Sequence, residues 1–139
     1  VTYFFAIINL AEGTIQYTNA GHNPPLILSA DGKIKSISKL QGPPLAISDH
    51  VYACDEYRLT PGDTMILYTD GITEAVNHAG EEFSLDRLKE TLKSLSGSSP
   101  AEIINSIIGD IDKHAEGLEQ YDDITMLAVR FNGIQKTYD

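Results

Sequence analysis

Two acidic sites in this 139-residue chain have the residue types and spacing for metal chemistry. The first is Thr69-Asp70-Gly71, just past the apolar run Met65 to Tyr68. The second is Asp122-Asp123, just ahead of Ile124-Thr125 and another apolar run. If these runs are strands paired antiparallel, the end of one lies beside the start of the other. Asp70 then faces Asp122 and Asp123 across a sheet edge. Carboxylates brought together repel, and a divalent cation removes that cost. Ligation by oxygen alone favours Mg²⁺, Mn²⁺ or Ca²⁺ over zinc. The ordinary alternative is that Asp-Gly makes a turn and the acidic pair sits in solvent.

A third segment, Asn19-Ala20-Gly21-His22-Asn23-Pro24-Pro25, combines a glycine, a histidine and two stiffening prolines. His22 has the chemistry of a base or ligand, but a hydrogen-bonded turn between strands explains the segment more simply. Gln41-Gly42-Pro43-Pro44-Leu45 reads as a second stiff loop. His50, His78 and His114 show no clear partner in sequence, and His114 suits a helix C-terminus. Cys54, at a strand position, reads as a small core residue.

The elements that must position these residues follow from periodicity. Thr2–Leu10 and Thr14–Ala20 read as strands joined by a turn that needs positive φ at Gly13. Leu26–Ser29 and Lys33–Ile37 flank Asp31-Gly32, a type I′ hairpin signal. Val51–Leu59 alternates, and Thr60-Pro61-Gly62-Asp63 reads as a tight turn. Thr64–Thr69 is apolar on both faces, as a doubly covered central strand requires. Leu85, Leu88, Leu92 and Leu95 recur at helical spacing behind Ser84. Ser96–Ser99 interrupts them. Ser99-Pro100-Ala101-Glu102 is a capping-box signature ahead of the stripe Ile103, Ile104, Ile107, Ile108 and Ile111. Gly117 suits a helix stop, and Ile124–Phe131 reads as the last strand. Strands, two helices and a strand imply an α+β fold with helices packed on antiparallel sheet.

Composition narrows the function classes. Ten basic and twenty acidic residues give a net charge of −10, which argues against nucleic acid and against anionic lipid as partners. Hydrophobic residues at 42% and charged residues at 22% are ordinary for a globular domain. No apolar run approaches the ~18 residues of a membrane span. The single cysteine suits a reducing, cytoplasmic setting.

Asn-Ala-Gly-His-Asn-Pro-Pro (19–25), Leu67-Tyr68-Thr69-Asp70-Gly71-Ile72-Thr73-Glu74-Ala75 and Asp122-Asp123-Ile124-Thr125 occur in an order that resembles the SpoIIE/RsbU branch of the PPM (PP2C-like) serine/threonine phosphatases. A Gly-Pro-Pro-Leu loop between the first two adds to it. The resemblance implies a β-sandwich of two antiparallel sheets flanked by helices. It implies two Mn²⁺ or Mg²⁺ ions that activate a water against a phosphoserine or phosphothreonine. By motif position it makes Asp70 and Asp122 metal ligands, with Asp123 the neighbour in reserve, and gives Glu74 no catalytic role. It also implies a phosphorylated protein substrate of the anti-sigma-factor-antagonist type, in a bacterial partner-switching pathway. One departure is serious: the family's earlier Gly-Asp-x-Ser-Gly-Lys-Gly segment, with its bridging aspartate, has no counterpart here. The expectation is the C-terminal part of a phosphatase domain over residues 1–132, with a tail over 133–139. Its metal site would be incomplete and inactive alone, and its bare sheet would favour a homodimer. The alternative is a non-catalytic phosphatase-like module that binds a partner.

Overall fold

Alternation and turn chemistry build the first sheet. The computed structural model describes residues 1–119 and 122–134. Strands β1 (Tyr3–Asn9) and β2 (Thr14–Ala20) pair antiparallel from Tyr3↔Ala20 to Asn9↔Thr14. Gly13 closes the hairpin at φ +72°, as expected, with its amide donating to Asn9 O at 2.8 Å. Strand β5 (Asp55–Arg58) pairs with the other edge of β2, giving the order β1-β2-β5. This strand is shorter than the alternation over Val51–Leu59 suggests. Its ladder stops at Tyr17↔Asp55; Thr18 reaches Ala53 O only through its side-chain hydroxyl, at 2.7 Å. Cys54 therefore lies outside the strand and is exposed, not a core residue.

The second sheet holds β3 (Leu26–Leu28), β4 (Ile34–Ser36), β6 (Thr64–Tyr68) and β7 (Met126–Arg130), ordered β4-β3-β6-β7 with every pair antiparallel. The β3–β4 turn is not type I′, because only Gly32 has positive φ, at +81°. Gly32 N donates to Ser29 O and Ser29 N to Lys33 O, both at 2.9 Å. That is a three-residue loop in which glycine takes the left-handed position. At the start of β6, Asp63 Oδ2 accepts from Thr60 N at 2.8 Å and from Thr60 Oγ1 at 2.9 Å, fixing the Pro-Gly turn.

Central position explains the apolar character of β6. Ile66 and Tyr68 face one core, and Met65 and Leu67 the other. The first core packs the four-stranded sheet on α1 (Asp70–Thr73), α2 (Ser84–Ser94) and α3 (Pro100–Ala115), through Ile72, Leu88, Leu92, Ile103, Ile107 and Ile111. The second lies between the two sheets, around Ile15, Tyr17, Ile27, Met65 and Phe131. The result is a sandwich of antiparallel sheets with helices against one outer face. On the other outer face, Tyr3, Phe5 and Ile7 are 45%, 48% and 58% exposed. The last strand begins at Met126 instead of Ile124, because residues 122–125 serve the turn described below. Most of the expected tail, 135–139, lies outside the described residues.

The capping box of α3 forms as read. Glu102 N donates to Ser99 Oγ at 3.3 Å, and Ser99 N donates to Glu102 Oε2 at 2.7 Å. The isoleucine stripe divides: Ile103, Ile107 and Ile111 are buried, whereas Ile108 is 41% exposed.

Ile107→Ala is expected to lower stability in urea unfolding by about 2–5 kcal/mol, the usual cost of a core cavity. Ile108→Ala should cost about 1 kcal/mol or less. The Ser99 backbone and side-chain bonds hold the Glu102 carboxyl below its ordinary value of 4.5. Its stabilising contribution is complete above that value and is lost as pH falls through the lower folded value. The gap in melting temperature between the parent chain and Glu102→Ala should therefore narrow as acid is added; a constant gap would exclude the ionised cap.

Candidate metal centre

The register of β6 with β7 ends at Tyr68↔Met126, which brings the next residues of both strands together. Thr69 N donates to Thr125 O at 3.1 Å. Its hydroxyl donates to Asp123 O at 2.8 Å and accepts from Thr125 N at 2.9 Å. Thr69 thus clasps the Asp-Asp-Ile-Thr turn through three bonds, each worth about 1 kcal/mol net. Sequence reading did not assign that role. The signal available was a threonine at the end of one strand and another at the start of its partner.

Directly after the clasp the chain turns into α1, with Thr69 extended at its N-cap (φ −91°, ψ 161°) and Asp70 first in the helix. The sequence suggested only a turn here, because four residues carry no helical periodicity. Gly71 is buried against the acidic pair. A Cβ built on it would lie 2.7 Å from Asp123 O and 3.2 Å from Asp122 O. Only a glycine lets the Asp70-Gly71 backbone approach the Asp122-Asp123 backbone this closely. Asp70, Asp122 and Asp123 are all exposed at this edge. Asp122 Oδ1 accepts from Asp123 N at 2.7 Å.

The donor chemistry fits a hard divalent cation, since every side chain offered is a carboxylate. Among the described residues, no group of three or more His, Cys, Asp or Glu side chains gathers closely enough to hold a metal ion. The residues present therefore match such an ion in donor type, without forming a full set of ligands among the described residues.

The Asn-Ala-Gly-His segment is structural in its contacts. The fully buried Asn19 accepts from His22 N through Oδ1 at 2.8 Å and donates from Nδ2 to His22 O at 3.0 Å. Its backbone N donates to Gln41 Oε1 at 2.6 Å. Gln41 Nε2 donates to Asp55 Oδ2 at 2.6 Å, and Lys39 Nζ pairs with Asp55 Oδ1 at 2.8 Å. Lys39, then Gln41, hold the Asp55 carboxyl below its ordinary value. A Cβ on Gly21 would meet Pro44 Cγ at 2.7 Å, so the two stiff loops pack against each other. Two of the remaining histidines, His50 and His114, are better partnered than sequence suggested. His50 Nε2 lies 2.8 Å from Gln41 O. Arg87 donates to His114 Nδ1 at 2.9 Å, which leaves His114 Nε2 to donate to Glu81 O at 2.9 Å.

A family model described as Stage II sporulation protein E (SpoIIE) matches residues 1–132. Protein IcfG of Synechocystis is 39% identical over 132 residues, 94% of this chain and 20% of IcfG. Phosphoserine phosphatase RsbU of Bacillus subtilis is 28% identical over 133 residues, 94% of this chain and 38% of RsbU. The chain thus spans well under half the length of either relative. The phosphatase domain of the cell fate determinant SpoIIE from Bacillus subtilis superposes with a TM-score of 0.76 at 22% identity, covering 99% of this chain and 61% of that one. The same domain, presoaked in Mn, superposes with a TM-score of 0.74 at 20% identity, over 99% of this chain and 59% of that one.

Gly71→Ala should push α1 away from the acidic turn and lower stability by about 1–3 kcal/mol. In NMR spectra the largest amide shift changes should fall on Thr69, Asp123 and Thr125. Unchanged shifts there would refute the close approach.

Proposed function

The chain belongs to the SpoIIE family and has its PP2C-like fold, and from that premise we propose that it is the C-terminal part of a metal-dependent protein serine/threonine phosphatase domain. The observation that carries the proposal is the contact of Gly71 with the Asp122-Asp123 main chain, which sets Asp70 and Asp122 at one sheet edge. Asp70 and Asp122 are the proposed ligands of Mn²⁺ or Mg²⁺, with Asp123 beside them in reserve. When bound, such ions lower the pKa of a bound water and screen phosphate charge. The chain's own contribution is to hold in place the backbone that carries these carboxylates. Thr69 pins the turn, Gly71 sets the spacing, and the β6–β7 ladder prevents either side from sliding.

The substrate proposed is a phosphoserine or phosphothreonine on a small regulatory protein of the anti-sigma-antagonist type, within a cytoplasmic partner-switching pathway. Support comes from family membership and from the name of the relative RsbU, a phosphoserine phosphatase. The relatives extend well beyond the matched region, so turnover is proposed for the longer protein, with this segment supplying part of its metal centre. A homodimer through the apolar outer face of β1 is proposed for the segment on its own.

Calorimetric titration with Mn²⁺ tests the ligand assignment. This chain should take up Mn²⁺, and Asp70→Asn should weaken uptake about tenfold or more with an unchanged circular dichroism spectrum. In the longer protein the same substitution should abolish Mn²⁺-dependent release of phosphate. Equal binding and equal turnover in Asp70→Asn would remove Asp70 from the centre. A longer protein that folds, releases no phosphate with Mn²⁺ and still captures a phosphoprotein would instead be a partner-binding module.

A further inference from the structure

Beside the acidic turn lies a partly enclosed cavity of about 120 Å³, bordered by Gly71 and Asp122. Its floor is apolar: Ala75, Val76, Ile111, Ala115 and Leu118. None of these five belongs to the acidic centre itself, yet the cavity opens next to it. The volume is slightly below the roughly 150 Å³ that accommodates a benzene molecule, so it suits one aliphatic side chain. An apolar hollow of this kind gains most from an apolar occupant.

The rim decides what that side chain is carried on. Glu74, Asp112 and Glu119 are exposed around the opening, and among the described residues no lysine, arginine or histidine lines it. Ala115 is the last residue of α3, so the negative end of that helix dipole lies here, with Lys113 of the same turn paired to Asp110 and His114 bonded to Glu81 O. The net charge of the chain, −10, adds to the same field. Such a rim repels an acidic segment and attracts a basic one.

We propose that this cavity is a specificity subsite, which seats a leucine, isoleucine or methionine side chain of the phosphoprotein substrate on a segment flanked by lysine or arginine. The proposal rests on the phosphatase reading for the identity of the occupant. The cavity itself is lined by the chain's own side chains, whereas a phosphate beside Asp70 and Asp122 would call for a divalent cation to offset their like charge. With the phosphate at the Asp70–Asp122 edge, the neighbouring apolar residue of the same peptide falls into the hollow. Recognition of sequence around the phosphate then comes from Ala75, Ile111, Ala115 and Leu118, and preference for basic flanks comes from Glu74, Asp112 and Glu119.

Fluorescence anisotropy with labelled 12-residue serine peptides, which bring no phosphate to the acidic edge, tests this without turnover. One set places a leucine one to four residues from the serine, between two lysines. Control sets replace that leucine with serine, or the lysines with glutamates. At one spacing or more, the leucine peptide should bind this chain about tenfold tighter than its serine control. Ala115→Phe, which fills the hollow, should erase that difference. Should Ala115→Phe fail to fold, the surface pair Asp112→Lys with Glu119→Lys provides a second route, and it should erase the preference for lysine over glutamate. Binding that ignores the leucine, a preference that survives Ala115→Phe, or no binding at millimolar peptide would overturn the subsite. A leucine preference in this chain, beside a longer protein that releases no phosphate with Mn²⁺, would keep the subsite and remove only the phosphatase reading. Mn²⁺ uptake without leucine preference would do the reverse.

Discussion

The pairing of β6 with β7 is the constraint on which the candidate site depends. Two strands distant in sequence are locked antiparallel from Thr64↔Arg130 to Tyr68↔Met126. The register alone delivers Thr69 to Asp123 and Thr125. A slip of one residue would turn every side chain to the opposite face. The slip is resisted from both sides, because β6 is buried in two cores at once. Packing of the interior and placement of surface carboxylates are therefore one problem. The chain places its charged groups at the strand ends, where water can still reach them, and keeps the strand itself apolar.

A second fastening holds the loop end of the three-stranded sheet. The buried Asn19 is satisfied by His22 and Gln41, and Gln41 continues to Asp55 and Lys39. A buried amide without such partners would cost about 1–3 kcal/mol. This explains why a histidine in a conspicuous motif does no chemistry in its observed contacts. His22 contributes its main chain to an asparagine-centred turn. The motif is a joint between β2 and the Gly-Pro-Pro loop, which Pro44 completes by packing on Gly21.

Charge and shape combine differently beside the acidic turn. The C-terminus of α3, the residues after α1 and the acidic turn enclose an apolar hollow within a ring of carboxylates. Neither feature alone would select a ligand. Together they distinguish a basic segment bearing an aliphatic side chain from an acidic or wholly polar one. The same acidic surplus that argues against nucleic acid as a partner thus acquires a positive role.

Local chemistry was legible in the sequence where one short segment decides the outcome. The Ser99–Glu102 capping box, the glycine hairpin at Gly13, the doubly apolar β6 and the apolar face of α3 all follow from neighbouring residues. So did the acidic residues themselves, and the order of motifs indicated the family. What sequence could not fix was set by contacts across long separations. The ladder on β2 ended β5 at Asp55 and left Cys54 exposed. The needs of the acidic turn delayed β7 to Met126. The four-residue helix α1 is too short for periodicity to reveal. Its position comes from Gly71 meeting the backbone of residues more than fifty positions away, a contact that depends on the absence of a Cβ and on a register only the folded sheet supplies.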